Sequence, residues 1–406
     1  MEQKDLEYLP EEDWQQWHTE LLQATLTRLY HRVPFYRERL EKAGLLPEDL
    51  AAPEDLARFP TTTREDLSQH YPYELFAVPL RDIVRLHVFP WHPNPIVKGY
   101  TRQDLEALRK LTMRFLAAAG LRSDDILHIV LEPGMAVWIE DLKEGAEALG
   151  VTVIPPSPRR PEIDLRIMKD FRASALVTTP SLALRLLKVS ERQGLALPRS
   201  LRLLLLLGEP VSPGERALLE EVFGVETRLS YGIAEILGPG MAYECEARQG
   251  LHLAADHLFA EVVDPETGKP GPEGELLLTT LRVRANPLLR FRTGDRVRIH
   301  SERCLCGRTT PRLEILEPGH EERWSFRGVK IYRKALEGLL REVYGSLPAY
   351  RLRIEGDPEA EPVLEVRMEE TLFHPSIVAL HEEAHRLERA FREFFGLPCR
   401  VKWVEA

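Results

Sequence analysis

The chain has 406 residues, 44% of them hydrophobic and 29% charged, which suits a globular protein with room for two or three domains. No apolar run approaches the roughly 18 residues that cross a bilayer, and a net charge of −10 argues against a nucleic-acid surface. The acidic, polar start lacks the regions of a secretory signal, and four cysteines are too few for a disulfide scaffold, so the expected compartment is the reducing cytoplasm.

Residues 11–45 carry apolar side chains at helical spacing (Trp14, Trp17, Leu21, Leu22, Leu26, Leu29), interrupted at Pro34 and resumed at Tyr36 and Leu40. They predict a helical N-terminal segment over 1–80. A strand is expected at Val84–Val88, then the crossing Phe89-Pro90-Trp91-His92-Pro93-Asn94-Pro95, then a helix to about Ala119 that Thr101 caps with Asp104 in its first turn. Predicted strands at Ile126–Leu131, Val151–Ile154, Ala175–Thr178, Leu203–Leu207 and Val225–Leu229 alternate with helical patterns, which argues a mostly parallel sheet covered by helices across 81–245. Within that region Glu140, Asp141 and Glu144 read as a solvated helix face. Strand patterns at Leu258–Val263 and Gly274–Leu281 make 246–317 a β-rich part. From 318 to 406 the pattern is a separate small α+β unit, with helices predicted at Lys334–Tyr344 and Pro375–Phe395 and strands at Tyr350–Glu355, Val363–Met368 and Cys399–Val404.

The chemistry concentrates in Leu229–Glu246, expected where a buried strand ends, the place where open α/β sheets bind ligands. Tyr231 offers a ring that can stack on a flat base, Gly232 lets backbone approach closely, and Glu235 is a hard oxygen ligand suited to magnesium between phosphates. Tyr231-Gly232-x-x-Glu235, continued by Gly238-Pro239-Gly240 and Glu244-Cys245-Glu246, resembles the phenylacetate–CoA ligase branch of the adenylate-forming, AMP-binding enzymes. Asn286–Asp295, Val33–Arg37 and Pro60-Thr61-Thr62 are similar to further parts of that family.

The resemblance implies an α/β fold: a large N-terminal domain (1–317) of mostly parallel sheets flanked by helices with a β-rich insert, and a small C-terminal lid (318–406) after a hinge at Gly319–Arg323. It implies two steps, attack of an aryl or acyl carboxylate on ATP to form an acyl-adenylate, then displacement of AMP by the thiol of coenzyme A. Gly208, Glu209, Pro210, Tyr231, Gly232, Asp295 and Arg327 are the implied nucleotide contacts, with Glu235 on magnesium and Glu132–Trp138 shaping the acid pocket. An aspartate suits the ribose because a carboxylate can accept from two vicinal hydroxyls.

Two departures stand out. Relatives grip the β and γ phosphates with a Ser/Thr/Gly-rich loop and a lysine, whereas this chain has three prolines, each without an N–H, and neither glycine nor lysine between Val88 and Val97. The family also supplies a lysine from a tail beyond the last strand, and Lys330, Lys334 and Lys402 do not match it. The expectation is a nucleotide-binding relative whose adenylation is weak or absent. The alternatives are an active ligase or an enzyme of the thioester-forming half-reaction, or a non-catalytic interaction subunit that exposes Phe89 and Trp91 to a second copy or another protein.

Finally, Cys245, His252 and the pair Cys304-Leu305-Cys306 supply three thiols and an imidazole, a full tetrahedral set for a structural zinc, with buried free thiols as the alternative. His257 is a competing nitrogen ligand and Cys399 reads as a core residue. The expected cofactors are therefore structural zinc, ATP or AMP with magnesium, and coenzyme A.

Overall fold

The computed structural model describes residues 6–91, 93–156, 160–317, 323–354, 360–367 and 377–404. The hinge read at Gly319–Arg323 falls, but for the backbone of Arg323, outside the described residues. The centre is one 11-stranded sheet whose strands, across it, begin at Leu258, Glu273, Phe291, Arg312, Leu251, Leu237, Glu226, Leu203, Ala175, Ile126 and Thr152. Its parallel half comprises β3 (Ile126–Val130), β4 (Thr152–Ile154), β5 (Ala175–Thr178), β6 (Leu203–Leu207) and β7 (Glu226–Ile233). All five leucines of β6 are buried, as a strand covered on both faces requires. The antiparallel half comprises β8 (Leu237–Tyr243), β9 (Leu251–Leu253), β10 (Leu258–Val263), β11 (Glu273–Thr280), β12 (Phe291–His300) and β13 (Arg312–Glu317). The β-rich stretch thus continues the parallel sheet instead of forming one of its own.

The direction of the sheet changes at the stretch that carries the chemistry. Leu229–Glu246 is a hairpin of two buried strands, β7 running on through Tyr231 to Ile233 and β8 returning, where the sequence suggested that the strand had already ended at Leu229. Gly238-Pro239-Gly240 has the look of a turn, but its small residues serve packing. A Cβ at Gly238 would lie 2.8 Å from Asp141 Oδ2, and one at Gly240 would lie 3.3 Å from Leu111 Cγ, so the helices Arg102–Ala118 and Ala136–Ala148 can press directly on β8.

Elsewhere the predicted capping chemistry does long-range work. Asp104 Oδ2 accepts from Thr101 N at 2.8 Å to start the Arg102–Ala118 helix, and the same carboxylate takes the amides of Arg284 at 2.7 Å and Ala285 at 3.1 Å. A separate hairpin of β1 (Ile83–Phe89) and β2 (Ile96–Thr101) carries the proline crossing. Arg85 on β1 gathers Glu144 at 2.7 Å, Asp141 at 3.4 Å and Glu140 at 3.7 Å; Glu140 and Glu144 keep to the solvated side of their helix, whereas Asp141 is buried. Burial pushes the Asp141 carboxyl up to about 8 despite that arginine.

The C-terminal residues form a hairpin of β14 (Arg323–Phe326) and β15 (Val329–Tyr332), a three-stranded sheet of β16 (Tyr350–Arg353), β17 (Val363–Arg367) and β18 (Arg400–Val404), and helices Arg333–Tyr344 and Ile377–Phe395. Leu336, Leu340, Leu364, Val366, Leu387 and Phe391 are fully buried. Among the described residues no helix is long and apolar enough to cross a membrane.

Candidate active site

The strand ends at the switch between the two halves of the sheet enclose a cavity of about 300 Å³. Gly208, Glu209 and Pro210 reach it from the end of β6, Tyr231 and Gly232 from β7, and Asp295 from β12. The Tyr231 hydroxyl donates to Asp295 Oδ2 at 2.6 Å, and Asp295 is 1% exposed. Six of the seven residues expected at a nucleotide are therefore brought together. Arg327 does not line this cavity; its Nη1 donates to Glu132 Oε1 at 3.2 Å and its guanidinium lies over the Phe326 ring.

Glu209 has a second role. Its Oε1 accepts from Gly328 N at 2.7 Å and from Ser181 Oγ at 2.8 Å, while Oε2 accepts from Ser181 N at 2.9 Å. Burial raises the Glu209 carboxyl above its ordinary value against these donors. Gly328, with φ +85°, approaches so closely that a Cβ there would lie 2.7 Å from Thr179 Cγ2 and closer still to Met135 Sδ. The C-terminal hairpin is clasped onto the ends of β5 and β6.

A second cavity, about 130 Å³, adjoins the first and is lined mainly by apolar side chains, among them Trp138, Val137, Trp91, Phe89 and Phe395. Gly232 and Lys330 line both cavities. Trp91 is 4% exposed, its ring set edge-on to Tyr332 at 5.0 Å, and the crossing is pinned by Ser68 Oγ donating to Asn94 O at 2.6 Å. Of the apolar anchor that an interaction subunit would use, Trp91 is buried and Phe89 half-buried. Lys98, the lysine nearest this crossing, lines neither cavity; it is buried near the Tyr100 ring, and burial draws its amine down to about 8.

Glu235 also lines the apolar cavity, but Arg64 already holds it, Nε to Oε1 at 2.7 Å. Arg64 is 1% exposed, donates to Thr293 O at 3.2 Å and lies over the rings of Tyr332 and Phe291. Burial alone would raise Glu235, yet the guanidinium, helped by Lys330, holds the carboxyl below its ordinary value. Neither Arg64 nor Lys330 stands out for the site in the sequence. The one signal there, which bears on Lys330 alone, is the rarity of lysine, which leaves few candidates for a catalytic lysine.

Away from these cavities, Cys245, His252, Cys304 and Cys306 place their ligand atoms within 4.8 Å of one another. Cys245 and Cys304 sulfurs are 3.8 Å apart, the edge of a tetrahedron built on metal–sulfur bonds of about 2.3 Å, and far beyond the roughly 2.05 Å of a disulfide. The His252 Nδ1 pairs with Thr310 Oγ1 at 3.0 Å, which turns Nε2 toward Cys306 Sγ at 3.4 Å. Burial lowers this imidazole to about 4, leaving it neutral as a metal ligand must be. His257 is outside the cluster, beside Asp256 with 3.5 Å between Nε2 and Oδ2.

A family model for AMP-binding enzymes matches residues 145–283. Phenylacetate-coenzyme A ligase of Thermus thermophilus is 39% identical over 99% of this chain and 94% of its own length, and that of Escherichia coli is 33% identical over 95% and 90%. The chain belongs to the phenylacetate–CoA ligase family. Its fold is that of the adenylate-forming enzymes: it superimposes on 2-hydroxyisobutyryl-CoA ligase in the thioesterification state with a TM-score of 0.89, at 25% identity, covering 99% of this chain and 88% of that one. Against the same ligase in the postadenylation state, with equal identity and coverage, the TM-score is 0.74. Sequence similarity is the same in both comparisons, so the difference between the scores lies in how the parts of the two states are arranged.

Proposed function

We propose that this chain forms a coenzyme A thioester from the acyl-adenylate of a small aryl acid of the phenylacetate class, and that its own ATP-dependent adenylation is slow. The observation that carries the reading is the meeting of two cavities. One, around Tyr231 and Asp295, offers a ring and a carboxylate to an adenosine; the other, around Trp138 and Phe89, suits an aryl group; an acyl-adenylate is a molecule with those two ends. The Asp295 carboxylate accepts from the ribose hydroxyls, Tyr231 orients it, and the packed rings around the second cavity exclude water from the acyl carbon. The resemblance to the thioesterification state of 2-hydroxyisobutyryl-CoA ligase supports the same step here.

Slow adenylation is supported by the crossing from Phe89 to Pro95. Pro90, Pro93 and Pro95 have no N–H to offer β or γ phosphates, and Trp91 is buried against Tyr332. A magnesium ion at Glu235 would have to share that carboxylate with Arg64. A second reading, a fully competent ATP-dependent ligase, is favoured by the two cations Arg64 and Lys330 beside Glu235. The Cys245, His252, Cys304 and Cys306 set is assigned a structural zinc, because all four positions of a tetrahedron are taken by protein and none is left for a substrate.

Synthetic phenylacetyl-adenylate with coenzyme A, compared with phenylacetate, ATP and coenzyme A, separates the two readings. The proposed function predicts thioester from the adenylate and pyrophosphate release at least about a hundredfold slower, the scale of losing one or two charge-stabilising contacts. Equal rates would establish the second reading, and no thioester from the adenylate would end the first.

A further inference from the structure

The adenosine and acyl ends of an acyl-adenylate are joined by one phosphate. With those ends in the two cavities, the phosphate must lie where the cavities meet, and among the described residues only Gly232 and Lys330 are shared by the two linings. Gly232 belongs to β7 and can offer backbone alone. Lys330 belongs to β15, opposite Ser325 in the C-terminal hairpin, and that hairpin is held against the large sheet by the bond from Gly328 N to Glu209 Oε1 at 2.7 Å. Lys330 is therefore delivered to the junction only when the hairpin is docked. Glu235 and Lys330 line the same apolar cavity, so the lysine side chain and that carboxylate share one region.

We infer that Lys330 is a catalytic residue of the thioester-forming step, its ammonium contacting the phosphate of the acyl-adenylate at the junction of the two cavities. This rests on the reading of the cavities as adenylate-binding. In the step, the coenzyme A thiol gives its proton to solvent, and the thiolate sulfur forms the C–S bond to the acyl carbon. The C–O bond to phosphate breaks, its electron pair staying with that oxygen, and AMP leaves with one more negative charge on its phosphate than it carried in the mixed anhydride. An ammonium placed there gains interaction as the charge grows, which is how a positioned cation lowers a barrier. The same lysine is withdrawn if the hairpin undocks, so the cation and the docked arrangement come and go together.

Isothermal titration of the full chain with AMP and with adenosine reads the phosphate contact without turnover. AMP is expected to bind at least about tenfold tighter than adenosine, with Lys330→Ala losing about ten- to a hundredfold in AMP affinity, the range for a hydrogen bond to a charged group, and leaving adenosine unchanged. Lys330→Arg keeps most of the AMP preference. Unchanged AMP affinity in Lys330→Ala overturns the inference, and loss of adenosine binding in that variant overturns it in favour of a structural role. With phenylacetyl-adenylate and coenzyme A, kcat of Lys330→Ala should fall by a similar factor and be largely restored in Lys330→Arg; an unchanged kcat would refute the catalytic part. If the unaltered chain forms no thioester while its AMP preference still depends on Lys330, the proposed function fails and the phosphate contact stands.

Discussion

Replacing Gly328 with alanine should undock the C-terminal hairpin without unfolding it. At φ +85° a side-chain-bearing residue costs about 1–2 kcal/mol, and the new Cβ would lie 2.7 Å from Thr179 Cγ2, an overlap worth about 1–3 kcal/mol more. Only the overlap separates docked from undocked molecules, so about 1–3 kcal/mol is removed from the docked state relative to the undocked one, a shift of roughly fivefold to a hundredfold. The backbone cost applies wherever the hairpin lies, but the overlap exists only in the docked state and is escaped by moving away. Gly345 supplies the control. Its φ is +75°, yet nothing lies within 4 Å of where an added Cβ would stand, so Gly345→Ala carries the backbone cost without the overlap. Small-angle X-ray scattering measures the result: the radius of gyration should rise in Gly328→Ala and stay put in Gly345→Ala, with helical circular dichroism preserved in both. Scattering of Gly328→Ala identical to that of the unaltered chain would refute the clasp as the element that holds the hairpin.

Asp295→Ala should weaken AMP binding by about ten- to a hundredfold by titration, because a buried charged acceptor for two hydroxyls is lost, and Tyr231→Phe should cost less, since it removes only the 2.6 Å bond that orients the carboxylate. Cys304→Ser, or prolonged chelation, should lower metal content from about one zinc per chain by elemental analysis and reduce the melting temperature; an unaltered chain purified without metal and equally stable would remove the zinc assignment. Asp256 tests the electrostatics of the core. Burial opposes its charge, but the neighbouring His257 imidazole and the Arg114 guanidinium, bonded at 2.7 and 3.0 Å, together hold the carboxyl down at about 2. A depressed acid stabilises the fold above its unfolded value near 3.8 and loses that contribution as pH falls toward 2, so Asp256→Asn should cost at least about 2 kcal/mol at pH 7, by denaturant titration, and the gap should close between pH 4 and 2.

The alternation of apolar runs with helical patterns determined the parallel half of the sheet, because a strand buried on both faces must be apolar throughout, as Leu203–Leu207 is. Short-range capping was equally plain: Thr101 and Asp104 stand three residues apart, and the chemistry of that spacing needs no tertiary partner. The motif Tyr231-Gly232-x-x-Glu235, Asp295, and the four zinc-type ligands are likewise legible in the sequence, since each residue type carries its chemistry with it.

What folding alone decided were the pairings across distance. Nothing local tells that Glu235 meets Arg64, 171 residues away, that three acids converge on Arg85, or that Trp91 is covered by Tyr332 and not by solvent. Gly238-Pro239-Gly240 reads locally as a break because the reason for its small residues, two helices pressing on a strand, lies in other parts of the chain. Lys330 has no meaning in its own neighbourhood. Its place between two cavities arises because docking brings a hairpin from the end of the chain over strand ends formed a hundred residues earlier, and the charge at a site depends on that approach more than on any neighbour in sequence.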